Sequence, residues 1–280
     1  MNQSLTRQFF RFTIPTILSM VAFSLYTLVD GIFVAKGVGE TALAAVNLSS
    51  PYNSVMFAAG LLLAVGMSTT IAIRLGNGKH HEASSLFTRN LIVAVVVSIA
   101  ISVLTLLNLR SVAQFLGAEG DTLGYVMEYV GGVSPFAVFF ICSYNMEILV
   151  KTDGTPLLST IGVSLAGVTN LVLDWLFVMI FHWGVRGAAV ATGLAQVVST
   201  VLYLYYFAKR SKQLHFVKVS LKPSEFKIYR RTLPLGVADS ITEMSNGVVL
   251  FAFNQTILRL IGESGVVSYT VIGYVNTLVL

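Results

Sequence analysis

Two carboxylates stand inside long apolar stretches of this sequence: Asp30, and Asp174 within 160–182. An aspartate at the centre of a membrane helix costs at least about 2.5 kcal/mol, even on the most lenient insertion scale. A sequence that keeps two of them uses them to hold a cation, a proton or a cationic substrate. Asn170 precedes Asp174 by four residues, so both share one helix face. Thr192 lies about five residues into the next apolar stretch. If the first and fifth stretches run outward and the sixth runs back, Asp30, Asp174 and Thr192 sit at similar depth, at about 1.5 Å per residue. Asn170 is then one turn deeper. Two carboxylates, an amide and a hydroxyl make an oxygen-rich set, suited to a hard cation such as sodium. The carboxylates could equally share a proton, because burial and mutual repulsion hold one of them protonated. A third acid, Glu243, lies mid-way along the seventh stretch, nine residues after Pro234, with Asp239 one turn earlier on the same face. Asn246 and Asn254 add polarity there, as in the lining of a water-filled cavity.

The elements that must carry these residues are membrane helices. The chain of 280 residues is 55% hydrophobic and 11% charged, against about 25% charged in a soluble domain. Its mean hydropathy is +0.78. Apolar runs of about 20 residues recur, and β-barrel alternation is absent. Eight spans are read, at 12–34, 43–73, 90–109, 123–150, 157–181, 187–208, 232–260 and from 265 onward. The first run has no cleavage site, so no removable signal peptide is expected. The last run is short, so the natural protein is expected to continue past Leu280. Cys142, the sole cysteine, excludes an intrachain disulfide and reads as a packing residue.

Lys and Arg set the orientation. Fourteen fall in the N-terminus, the second-to-third loop (with Arg74, Lys79 and Arg89), the fourth-to-fifth loop and the stretch 209–231; four fall on the other side. The first side is expected to be cytoplasmic, N-terminus included. A repeat is visible. Arg11 and Pro15 open the first span as Arg230 and Pro234 open the seventh, and the turns 38–42 and 261–265 follow in turn. Six helices separate the copies, so the repeat is of the parallel type. The expected organisation is a six-helix lobe over 1–208, a basic cytoplasmic linker over 209–231, and the first helices of a second lobe over 232–280. Pro51 and Pro135 permit bends within spans, and the glycine and alanine run 187–193 favours close packing. Glu147 and Lys151 read as a helix-surface pair, Tyr144 and Asn145 as weak hints of a cavity lining, and His80 and His81 as solvated loop residues. No phosphate-binding glycine loop is present, so ATP hydrolysis is not expected; the net charge of +5 sits in loops, where membrane topology explains it, so nucleic-acid binding is not expected either.

Several segments together resemble the multidrug and toxic compound extrusion (MATE) family. They are 29–34 with 39–45, 66–70 with 74–78, 170–174, and 184–192. The resemblance implies an all-α membrane fold of twelve helices in two six-helix lobes around a central cavity. It implies export of organic cations in exchange for protons or sodium, with no other cofactor and no enzymatic step. Asp30, Asn170, Asp174 and Thr192 match the amino-lobe cation site of prokaryotic members, and Glu243 resembles the acid other members carry in the seventh helix. The location implied is the bacterial cytoplasmic membrane. Two alternatives remain open here: a flippase of lipid-linked precursors from the same superfamily, for which the acidic buried charges are a poor match, and a structural membrane protein.

Overall fold

The structure is a computed structural model that describes residues 10, 13, 14, 17, 21 and 27–279. Arg7, Arg11 and Pro15 lie outside the described residues, and so does most of the first span. Among the described residues the regular structure is all helical, with no strand. Helix α1 covers 27–37. It is followed by α2 (Glu40–Gly76), α3 (His80–Leu107), α4 (Leu109–Phe115) and α5 (Gly120–Val133). Then come α6 (Ala137–Thr152), α7 (Pro156–Asp174), α8 (Gly184–Lys209), α9 (Tyr229–Leu260) and α10 (Glu263–Val279).

Five segments among the described residues are long and apolar enough to cross a membrane: α2, α3, α5 with α6, α7 with the turn after it, and α8. Their side chains are apolar all round, the pattern of a helix with protein on one side and lipid on the other. On α3, Leu104 and Leu107 remain 63% and 76% exposed, as a lipid-facing surface requires. The seventh expected span is a helix too, α9, but it is not among the five. Its middle, from Asp239 to Asn246, is polar and largely exposed, a surface that needs water or protein against it rather than lipid.

Three expectations are corrected. His80 and His81 are not in a loop; they form the first turn of α3, which projects beyond the apolar run. Arg89 is likewise no loop residue: it lies deep in α3 and is 6% exposed. Asn145 lines no cavity, being completely buried and accepting from Asn90 Nδ2 at 3.1 Å inside the bundle. The fourth span is broken at Pro135 by a 3-10 turn, Ser134–Phe136. Proline has no N–H to continue the ladder, and the neighbourhood is satisfied from outside: Ser102 Oγ donates to the Ser134 carbonyl at 2.7 Å.

The core is organised around α2, which packs on α3, α5, α6, α9 and α10. Leu48, Met56 and Met67 of α2 meet Phe87, Met146 and Phe207 in one buried cluster. Cys142 is buried in the same cluster. Against α9 the approach is at backbone distance. A Cβ on Gly66 would collide with the Thr232 carbonyl, and one on Gly236 with that of Leu62. Two turns repeat the same geometry 223 residues apart. Gly39 (φ 127°) donates its N–H to the Val34 carbonyl at 3.2 Å, and Gly262 (φ 86°) to that of Ile257 at 3.1 Å. This is the helix-terminating bond that a left-handed glycine permits.

The connections segregate by end, as the basic-residue pattern requires. At one end, Asp153 follows α6 with no exposed surface. Its carboxylate accepts from Tyr206 Oη at 2.5 Å, Ser211 Oγ at 3.1 Å, and the N–H groups of Lys212, Gln213 and Leu214 at 2.9 Å each. The chain then runs along α3, where His215 and Val217 donate to Ser84 Oγ and Thr88 Oγ1, both at 3.2 Å. A 3-10 turn, Pro223–Ile228, leads into α9. The stretch is therefore bound to the first helices over 211–217 and again at Glu225, which pairs with Arg89.

Candidate functional site

Three helices build the oxygen cluster. Asp30 lies in α1, Asn170 and Asp174 lie one turn apart at the end of α7, and Thr192 lies in α8. Helices α7 and α8 pack closely because their contact face is small: Ser199 Oγ donates to the Gly162 carbonyl at 2.9 Å across it. Gly193 adds to the same economy on another side of α8, where a Cβ would run into the Phe136 ring; the packing reading of the small-residue run holds.

Within the site, Asn170 Nδ2 donates to Thr192 Oγ1 at 3.3 Å, and Thr192 Oγ1 donates to the Ala188 carbonyl at 2.9 Å. The threonine thus spends its only proton on its own helix and offers lone pairs to the amide. That bond orients the Asn170 side chain and leaves Oδ1 on its other side. The Asp30 and Asp174 carboxyls are close neighbours, and the Asn170 side chain is also a close neighbour of Asp174. The four residues expected to converge do so.

Asp174 has no exposed surface, and Asn170 is 2% exposed. Asp30 Oδ1, Asn170 Oδ1 and both carboxyl oxygens of Asp174 are buried and meet no protein donor. Among the described residues neither aspartate has a basic partner. Buried acceptors are almost always satisfied, and two carboxylates side by side cannot both stay charged without compensation. A cation among these oxygens, or a proton shared between the carboxyls, resolves both problems.

Directly after Asp174 the helix widens into a π turn, Trp175–Ile180. Apolar periodicity does not reveal such a turn, since its residues are as hydrophobic as those before it; π turns recur at functional sites. It also brings Val178 against α1, where a Cβ on Gly37 would stand 2.6 Å from Val178 Cγ1. The turn therefore seats the Asp30 helix beside the Asp174 helix.

Glu243 belongs to a different place. It is half-buried rather than fully buried, with Ser54 of α2 and Tyr144 of α6 nearby. Asp239 and Asn246 are exposed, while Asn254 is 1% exposed with both side-chain polar atoms unpartnered. Glu147 and Lys151 form the expected pair at 2.9 Å. Asp153 had no signal in the sequence: a lone aspartate before a glycine reads as a turn residue, and its partners are more than fifty positions away.

A family model described as MatE matches residues 15–176. The chain belongs to the MATE family. Its members are membrane transporters, not enzymes, and act in multidrug efflux. The multidrug export protein MepA of Staphylococcus haemolyticus (strain JCSC1435) is 23% identical over 268 residues, covering 96% of this chain and 59% of that protein. Among solved structures, a MATE in complex with MaD3S is 28% identical with a TM-score of 0.81, over 96% of this chain and 60% of the other. The MATE multidrug transporter DinF-BH superposes with a TM-score of 0.89 at 24% identity, over 99% and 62% of the two chains; this match speaks to the fold. The chain spans about half to three-fifths of the length of the curated MepA relatives, 47% and 59% for two of them.

Proposed function

We propose that this MATE chain is part of a secondary-active antiporter of the bacterial cytoplasmic membrane. It exports organic cations in exchange for protons or sodium by alternating access. The single observation that carries the reading is the set of buried, donor-free oxygens on Asp30, Asn170 and Asp174, held by Thr192. A site whose unpartnered polar atoms are all acceptors favours a small cation and disfavours an anion. A coupling ion drives a conformational change only through different affinities for the two states, and a site spanning α1, α7 and α8 is altered by any shift of α1. Glu243, against α2 and α6, is assigned to the substrate cavity, where a carboxylate would attract cationic compounds. The acidic character of both places disfavours a flippase for pyrophosphate-linked lipids. No ATP and no nucleic acid enter this scheme.

The test is efflux of a fluorescent organic cation from vesicles carrying the full-length protein under imposed pH or sodium gradients. Accumulation driven by either gradient supports the reading; indifference to both, with a well-folded protein, rejects it. The orientation is tested separately. A cysteine introduced at Lys212 is expected to react with a membrane-impermeant thiol reagent only from the cytoplasmic side, and labelling from outside intact cells alone would invert the topology.

A further inference from the structure

At the basic end of the bundle, α3 and the segment 220–231 enclose a cavity of about 580 Å³ whose lining includes Arg74, Arg89, Lys227 and Arg231. Two carboxylates answer these four cations. Glu82 pairs with Arg74 at 2.7 Å, and Glu225 pairs with Arg89 at 2.9 Å. Lys227 and Arg231 have no ion pair among the described residues, so the basin carries positive charge in excess. Arg89 is 6% exposed, and its Nε is buried without a partner.

Immediately beside the basin the same two walls turn apolar, joined by Ala59, Leu62 and Leu63 of α2. Ser85 and Arg89 line the basin, and Val93 and Val97 line an adjoining groove of about 350 Å³. These four residues follow at intervals of four and so form one stripe down α3. Opposite them, Lys227 and Arg231 face the basin while Phe226, Tyr229 and Leu233 face the groove. Tyr229 stands at the junction, within electrostatic range of Arg89, 9% exposed, with its hydroxyl unpartnered. From Arg89 to Val97 the stripe descends about 12 Å.

A cationic basin opening onto an apolar groove in a membrane-spanning bundle matches one class of molecule at both ends. We propose that the basin and groove bind an anionic phospholipid. The phosphate sits among Arg74, Lys227 and Arg231, the Tyr229 hydroxyl donates to an ester or phosphate oxygen, and an acyl chain follows Val93 and Val97. Guanidinium groups suit phosphate oxygens through paired N–H donors, and basic pockets between membrane helices are recognised lipid sites. Because its walls come from α3 on one side and the approach to α9 on the other, the lipid ties the first six helices to the segment that leads onward.

The experiment uses the full-length protein in detergent, with its melting temperature measured against added phosphatidylglycerol, phosphatidylcholine or inorganic phosphate. Phosphatidylglycerol is expected to raise Tm by about 2–4 °C over an equal fraction of phosphatidylcholine. The combined change Lys227→Gln and Arg231→Gln removes that difference, while Lys218→Gln, an exposed charge just before that segment and outside the basin, retains it. Val97→Trp fills the groove without touching the charges and also removes the difference. No preference for phosphatidylglycerol, a preference that survives the double change, or a full effect from inorganic phosphate alone would each overturn the proposal, the last by making the ligand a free phosphate.

Discussion

Replacing Asp174 by asparagine changes one oxygen for an NH2 in a site whose Asn170 amide and Thr192 hydroxyl donors are already engaged elsewhere. Its consequences run in opposite directions for stability and for coupling. Both Asp174 oxygens are buried and unpartnered, beside an equally unpartnered Asp30 Oδ1. A buried polar atom left unsatisfied costs about 1–3 kcal/mol. The introduced amide can donate to Asp30, so stability is expected to hold or rise by about 1 kcal/mol. For a bound cation the loss is large. Two unit charges about 4 Å apart attract by about 4 kcal/mol at an effective dielectric of 20, so removing one carboxylate charge lowers cation affinity by about 10³-fold. Driving a two-state equilibrium from 1:99 to 99:1 needs a differential affinity of about 10⁴-fold, and little of that survives. An amide also cannot carry the shared proton, so coupling fails for either ion. The assay is gradient-driven uptake of a fluorescent cation into inverted vesicles carrying the full-length protein, with expression and Tm measured in parallel. Asp30→Asn is expected to behave alike, because the two carboxyls act as a pair. Glu147→Gln, whose partner is Lys151 on its own helix, is expected to leave coupling unchanged. Near-normal gradient-dependent transport by well-expressed Asp174→Asn protein would refute the reasoning and move the search for the coupling site to Glu243.

Three further outcomes follow from particular contacts. Thr192→Val removes the acceptor of Asn170 Nδ2; it is expected to lower Tm, at a cost of about 1–3 kcal/mol, and to weaken the coupling ion's apparent affinity, whereas Thr192→Ser keeps both. Asp153→Ala orphans three backbone N–H groups, and limited proteolysis is expected to cut within 210–222 at least tenfold faster, on the scale of about 1.4 kcal/mol per tenfold. Gly236→Ala drives a methyl into the Leu62 carbonyl, forcing α9 away from α2; cross-linking of cysteines placed at Ala58 and Ser240, which are in contact across this pair, should fall while α7–α8 contacts persist.

Much of this molecule is readable from the chain alone because lipid makes simple demands. Twenty apolar residues must be a helix, their unpaired backbone leaving no alternative, and Lys and Arg gather towards the helix ends and the connections. Hence the five spans that the structure shows as long apolar helices were legible. Asp30, Asn170 and Asp174 were legible for the same reason: a polar group in an apolar run stands out by its cost. Their convergence needed only helical rise and an assumed direction.

Tertiary structure decided what depends on partners distant in sequence. Arg89 reads as a loop cation until Glu225, 136 residues on, is found beside it. Asp153 reads as a turn residue until the chain at 211–214 closes over its carboxylate. Asn145 reads as a cavity lining until Asn90 takes its Oδ1. The π turn after Asp174 is invisible to periodicity because hydropathy does not distinguish bonding to the fourth residue from bonding to the fifth. Composition and period report what each residue wants from its surroundings; which neighbour supplies it is settled only when the helices pack.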